Sequence, residues 1–203
     1  MKILAIGWNY PQHNLELSAE TPSEPVVFLK PDSSLLRQGK PFFIPDFSSE
    51  IEYETELVLR INRLGKNIAP RFAHRYYDAI GLGIDFTARD LQRKQKAAGL
   101  PWEVCKAFDN SAAVGDFLPV SSFANLNDIS FCLERNGTTV QSGNSSQMLF
   151  GFDEIVSYVS RFFTLKIGDL IFTGTPSGVG RVEINDLLEG YIGTEKMFSF
   201  RVK

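Results

Sequence analysis

Apolar positions along the chain fall in short runs broken by glycine and proline, the punctuation of a strand-rich fold. Ile3-Leu4-Ala5-Ile6 predicts a first strand and residues 26–29 a second. The second is stopped at Lys30-Pro31, where proline withdraws a ladder donor and leaves a lysine at the strand's mouth. Gly39-Lys40-Pro41 reads as a turn and residues 42–45 as a short strand. Residues 49–60 alternate carboxylates with mostly apolar side chains at the period of two of a half-buried strand, so Glu50, Glu52, Glu54 and Glu56 share one face. Residues 79–86 form an apolar, glycine-bounded run that predicts a buried strand, with Asp85 near its end. Asn136-Gly137 is the strongest hairpin signal, inside 129–141. Residues 165–180 run from a strand into a glycine-rich loop, and 196–202 make a closing strand.

Helical periodicity is scarcer. Residues 13–17 offer one turn that puts His13 and Glu16 on the same face. Pro70 sits at a first helical position, with Phe72, Tyr76 and Tyr77 giving a short amphipathic helix. Thr87-Ala88-Arg89-Asp90 has the form of a capping box, opening a helix that Gly99-Leu100-Pro101 ends. Residues 147–165 predict one long amphipathic helix whose buried stripe is Ile155, Val156, Val159, Phe162 and Phe163. Between strands, 62–67 reads as a loop with Gly65 available for a positive φ.

Composition adds bounds to this pattern. At 203 residues the chain predicts one domain, 1–203, able to bury a sizeable core. Hydrophobic and charged fractions of 43% and 22% are those of a globular protein, and no apolar run reaches the length of a membrane span. A net charge of −3 without a Lys/Arg-rich run argues against nucleic acid as a partner. The amino-terminal run lacks a small-residue cleavage site, and Cys105 and Cys132 stand far apart as expected of buried thiols. Both point to a cytoplasmic protein.

The acidic strand carries the first candidate chemistry. Adjacent like charges repel, so the four glutamates are either solvated or held by a cation. A carboxylate on a buried strand also needs a partner, so Asp85 requires a cation, an arginine or backbone donors. The loop at Thr173-Gly174-Thr175 is not a P-loop, but its backbone N–H groups and the Thr175 hydroxyl suit a small carboxylate. Read alone, Lys106 is a snorkelling surface lysine and His74 an exposed helix residue.

In order along the chain, Asn9-Tyr10 with His13 and Glu16, Phe28-Leu29-Lys30-Pro31, Glu54-Thr55-Glu56-Leu57, Asp85-Phe86-Thr87-Ala88-Arg89-Asp90-Leu91-Gln92, Lys106, and Gly168-Asp169 through Thr173-Gly174-Thr175-Pro176-Ser177-Gly178-Val179-Gly180 resemble the fumarylacetoacetate hydrolase family. Its short, acylpyruvase-like members are the nearer match. The resemblance implies an α+β, β-rich fold, a mixed β-sandwich roll with a few peripheral helices, and a homodimer. It implies Glu54, Glu56 and Asp85 as ligands of Mg²⁺, with Mn²⁺ or Ca²⁺ able to substitute, and leaves Glu50 and Glu52 as a solvated face. Lys106 would offset developing charge, and Lys30, Arg89, Gln92 and Thr175 would contact the substrate or shape its pocket. His13 and Glu16 would form a water-activating dyad on a mobile lid, a loop bounded by Pro11 and the polar Ser18 to Glu24 stretch. The implied substrate is a small 2-oxo acid, and the implied reaction is hydrolysis of a C–C bond in an acylpyruvate, with oxaloacetate decarboxylation as a possible companion. An isomerase or tautomerase of 2-hydroxyhepta-2,4-diene-1,7-dioate or oxaloacetate type is the alternative, and a metal-stabilised binding protein is the non-catalytic one. Two departures bear on specificity. Trp8 stands where family members often carry a basic or aliphatic residue, and Ala107 follows the lysine in place of Ser or Gly.

Overall fold

The computed structural model describes residues 1–16 and 20–203. Its elements begin with β1 (Ile3–Gly7), α1 (Pro11–Glu16), β2 (Val26–Lys30), β3 (Leu35–Leu36), β4 (Ile51–Tyr53), β5 (Thr55–Ile61) and β6 (Tyr77–Asp85). The middle of the chain adds β7 (Thr87–Ala88), α2 (Arg89–Ala98), α3 (Glu103–Lys106), β8 (Ala112–Pro119), β9 (Ser130–Arg135) and β10 (Thr138–Asn144). The remainder is α4 (Phe152–Ser160), β11 (Leu170–Phe172), β12 (Gly180–Arg181), β13 (Leu187–Ile192) and β14 (Glu195–Arg201). The strands form a seven-stranded mixed sheet in the order β2-β1-β11-β5-β6-β8-β3, a four-stranded sheet β10-β9-β13-β14 and a three-stranded sheet β12-β4-β7. This is the β-rich roll with peripheral helices that the resemblance implies.

The central strands of the main sheet, β1, β11, β5 and β6, are buried on both faces, which is why they read as nearly continuous apolar runs. Leu4 and Ile6 of β1 join Leu57 and Leu59 of β5 in a core closed by Phe131 of β9 and by Ile155, Val156 and Val159 of α4. The intervening positions Ile3, Ala5 and Val58 face the other way, with Leu170 and Phe172. Strand directions then collect the polar residues. β5 and β6 are antiparallel with Thr55 opposite Ile84, so the start of one strand meets the end of the other. β11 is antiparallel to β5, and β1 runs parallel to β11, so both of these also end at that edge.

Several local expectations change. The predicted acidic strand is two strands in two sheets, hinged at Glu54. Glu50 and Glu52 are not a free solvated face either: Glu50 pairs with Arg93, 3.1 Å from its Nη1, and Glu52 with Arg89 at 2.6 Å. Residues 42–45 make only an isolated bridge from Phe42 to Val202. Thr87 lies in β7 and its hydroxyl donates to the Asp85 carbonyl, so the capping box does not form. The helix instead starts at Arg89 without a side-chain cap, and ends as predicted with Gly99 left-handed at φ 63°. The long helix is only α4. Asn144 caps a separate 3₁₀ turn at Ser145–Gln147, Gly151 is extended at the N-cap, and Phe162 points to solvent. Cys105 is buried whereas Cys132 is half-buried. No helix among the described residues is long and apolar enough to cross a membrane.

Gly65 is required for space and not for a positive φ, which Asn67 adopts instead. A Cβ there would lie 2.4 Å from Tyr76 Cε1 and 2.8 Å from Ile68 Cδ1. Gly65→Ala should therefore cost about 1–3 kcal/mol by overpacking, read as a lower denaturant midpoint at unchanged m.

Candidate active site

Glu54 at the hinge, Glu56 on β5 and Asp85 at the end of β6 each present a carboxylate oxygen, and these atoms lie within 4.8 Å of one another. All three side chains are buried. The Asp85 N–H donates to the Glu54 carbonyl at 2.8 Å, locking the two ends together. Lys106, at the end of α3, is buried and not a surface lysine. Its Nζ donates at 2.7 Å to both Glu54 Oε2 and Asp85 Oδ2. Arg89 opens α2 with its fork fully engaged: Nε to Glu52 at 2.6 Å, Nη1 to Gln92 at 2.6 Å and Nη2 to Glu54 at 2.7 Å. Lys30 does not line the cleft. Its ammonium lies 2.6 Å from Asp85 Oδ1 and donates to the Lys106 and Ser111 carbonyls and to the Ser111 hydroxyl.

This pairing sets the electrostatics. Burial opposes the Glu54 carboxylate, but Lys106 and Arg89 outweigh it and hold the group well below the usual range. Burial likewise opposes the Lys106 charge, and Asp85 with Glu54 more than restores it. At Lys30 burial wins, and its pKa falls despite Asp85. Glu56 has no cationic side-chain partner among the described residues, only the Gly174 N–H at 2.6 Å. Burial and the adjacent Asp85 and Glu54 charges push it well above the ordinary carboxylate value. Asp85 Oδ1 is buried, and the Lys30 ammonium meets it at 2.6 Å as a buried ion pair. Three converging hard oxygen donors, one of them, Glu56, with no cationic side-chain partner among the described residues, fit a divalent metal ion.

Beside the triad, α1 brings a buried His13 whose Nδ1 is 3.0 Å from Glu16 Oε2. That contact leaves Nε2 as the nitrogen available to the cleft. Glu16 also accepts from the Gly178 N–H at 3.2 Å, so the glycine-rich loop seats the dyad's carboxylate. Of the lid predicted between Pro11 and the Ser18 to Glu24 stretch, residues 17–19 lie outside the described residues. Thr175 lines the cleft, but its hydroxyl donates to the Thr55 carbonyl and accepts from Gln141, each at 2.9 Å. The loop's most useful donor, Gly174 N–H, serves Glu56. Gly174 takes φ 100°, and a Cβ on it would lie 2.7 Å from Asn9 Cβ.

Three contributions escaped the sequence reading. Asn9 is fully buried and clasps Phe150 and Thr173, its amide donating to both carbonyls and its oxygen accepting from Phe150 N. Gln141, turned inward beside a β-bulge, accepts from Thr55 N at 3.0 Å between the two glutamates. Phe28 and Trp102 line the cleft beside the charged groups, next to Trp8, which the sequence had already marked as bearing on specificity. Asn9 and Phe28 stood in recognisable motifs, whereas Gln141 had no local signal.

A family model for the fumarylacetoacetate hydrolase C-terminal region matches residues 2–198. The chain belongs to the fumarylacetoacetate hydrolase family. It is 41% identical over 203 residues to a mitochondrial oxaloacetate decarboxylase of Dictyostelium discoideum, covering 99% of this chain and 93% of that protein. It is 37% identical over 201 residues to a mitochondrial oxaloacetate tautomerase of Mus musculus, covering 99% and 91%. A fumarylpyruvate hydrolase from Pseudomonas aeruginosa, solved with Mn²⁺ and pyruvate, superposes with a TM-score of 0.93 at 34% identity, covering 100% of this chain and 89% of that one. Like these members of the family, the chain is an enzyme, which removes the non-catalytic binding reading.

Proposed function

We propose that this enzyme is a Mg²⁺-dependent hydrolase of small 2,4-dioxo acids of the acylpyruvate type. The observation that carries the reading is a histidine–carboxylate dyad facing the same cleft as three convergent carboxylates. Glu54, Glu56 and Asp85 would hold the ion, which when bound supplies Lewis acidity toward the 2-oxo acid oxygens. Lys106, carrying its full charge, offsets the negative charge that develops on the substrate oxygens. Arg89 keeps Glu54 aimed inward and, with Gln92 and Thr175, shapes the wall. Lys30 holds Asp85 and the Lys106 backbone in place. Glu16 orients His13, whose Nε2 takes a proton from water as the oxygen adds to C4. The C3–C4 bond then breaks, its electron pair passing to C3, and protonation at C3 yields pyruvate with release of the acyl group as a carboxylate.

A second reading, oxaloacetate tautomerisation or decarboxylation, is favoured by the named activities of the relatives from Dictyostelium and mouse. Both reactions need the charge-stabilising half of the cleft and no attacking water. A panel of acetylpyruvate and oxaloacetate assayed with Mg²⁺ and with chelator separates the readings. Hydrolysis requires chelator-sensitive pyruvate release from acetylpyruvate. Accelerated oxaloacetate ketonisation or CO₂ release without it establishes the second reading, and no turnover of either compound defeats both. Exposed Phe43, Phe47 and Val104 accord with the homodimer that the family resemblance implies, which sedimentation analysis tests.

A further inference from the structure

The cleft has a charged inner end and an aromatic mouth. His13, Glu54, Glu56, Asp85 and Lys106 are each at most 5% exposed, whereas Trp8, Phe28 and Trp102 are half-buried. Trp8 meets Trp102 edge-on at 5.1 Å between centroids, and Trp102 meets Phe28 at 5.8 Å. The free space of the whole cleft, rings included, is about 20 Å³, room for an ion or a water, so a 2-oxo acid enters only if the lining moves. The triad lies at the buried end, so a substrate whose keto-acid end reaches it places its remainder against the half-buried rings of the mouth.

Trp8 is also held in an unusual backbone conformation. Its φ of 59° is left-handed, an outlier for a bulky residue that costs free energy unless the surroundings impose it. Here they do: Asn14 Nδ2 donates to the Trp8 carbonyl at 3.0 Å, and the neighbouring Asn9 is clamped by its bonds to Phe150 and Thr173. The turn between β1 and α1 thus presents an indole to the cleft at a position where glycine would sit without strain. Lys96 lies 5.1 Å from the centroid of this indole but is exposed and does not line the cleft, and the Lys106 ammonium, 5.3 Å from the Phe28 centroid, is already held by Glu54 and Asp85. An exposed, mobile ammonium contributes little to holding a carboxylate, and the negative faces of aromatic rings disfavour one.

We infer that Trp8, with Trp102 and Phe28, determines specificity by receiving an uncharged, apolar acyl end, so that the preferred substrates are 2,4-dioxo monoacids and not their dicarboxylate counterparts. The inference rests on the 2,4-dioxo-acid reading above. A matched pair tests it: 2,4-dioxoheptanoate and 2,4-dioxoheptanedioate share a chain length and differ in ending as methyl or carboxylate. With Mg²⁺, the enzyme should favour the monoacid in kcat/KM by about tenfold or more. Trp8→Gly relaxes the backbone while deleting the ring, so the variant should fold, and its preference should collapse toward unity through a raised KM for the monoacid. Preference for the diacid, or an unchanged ratio in Trp8→Gly, overturns the inference. If neither compound is turned over, the proposed function fails, and ligand binding then decides the specificity question separately. The chain's two tryptophans both line the cleft, so quenching of intrinsic fluorescence reports occupancy with no turnover. The monoacid must then bind about tenfold more tightly than the diacid, and equal or reversed affinities overturn the inference.

Discussion

Glu56→Gln is expected to abolish tight binding of Mg²⁺ or Mn²⁺, weakening it by roughly 100-fold or more, given that even outer-shell changes cost 10–100-fold. The same change should leave the metal-free protein at least as stable as the parent. Glu56 is the one member of the triad without a cationic side chain beside it among the described residues. Its charge is opposed by burial and by Asp85 and Glu54. The amide keeps the acceptor for the Gly174 N–H and removes the repulsion. Because the folded state raises this carboxyl above its ordinary value of 4.5, its charge costs stability as pH rises from about that value through the folded value. That contribution to the pH dependence of metal-free unfolding should be missing in the variant. Asp85→Ala offers the contrast: it also loses the metal but strips the carboxylate from Lys30 and Lys106, both buried. Breaking such buried pairs costs about 3–5 kcal/mol, so its unfolding midpoint should fall sharply. Calorimetric metal titration with thermal melts of both variants checks the pair of outcomes. Retained affinity in Glu56→Gln would remove it from the ligand set.

What was legible in the sequence divides by the range of the interactions involved. The apolar runs of β1 and β6, the Asn136-Gly137 hairpin and the stop at Gly99 follow from nearest-neighbour chemistry, and each stands where expected. Asp85 could be singled out because a buried carboxylate requires a partner whatever the fold. Its partners were another matter: Lys30 and Lys106 lie 55 and 21 positions away and reach it from separate elements. Lys106 read as a surface residue because nothing in its own neighbourhood reveals that two carboxylates will enclose it. The hinge at Glu54 was hidden for a related reason. A period of two describes side-chain alternation but not which sheet a residue joins, and the switch is secured by Gln141, which bonds Thr55 N from the four-stranded sheet. Phe162 failed in the opposite direction: its helical phase was right, but the helix ends at Ser160.

His13→Ala should lower pyruvate release from acetylpyruvate by about 10²–10⁴-fold, the range that a positioned general base supplies. It should also leave metal affinity near the parent value. The separation follows from where His13 sits. It shares the cleft with the triad, but its only hydrogen bond among the described residues is to Glu16, and it bonds to none of the three carboxylates. Its removal therefore deletes a proton acceptor without unpairing a charge at the inner end. Decarboxylation or tautomerisation of oxaloacetate needs no attacking water and on the proposed reading would depend on Lys106 and the carboxylate triad, so either activity should fall far less than hydrolysis. Glu16→Gln is the graded companion. The amide can still hold the His13 ring through Nδ1 but gives up the negative charge that supports a protonated imidazole, so hydrolysis should fall less than in His13→Ala, with metal binding again intact. Equal loss of hydrolysis and of oxaloacetate turnover in His13→Ala would reject the water-activating role. The dyad would then have to act at a step the two reactions share, such as proton transfer at C3, which is the chemistry of the tautomerase reading.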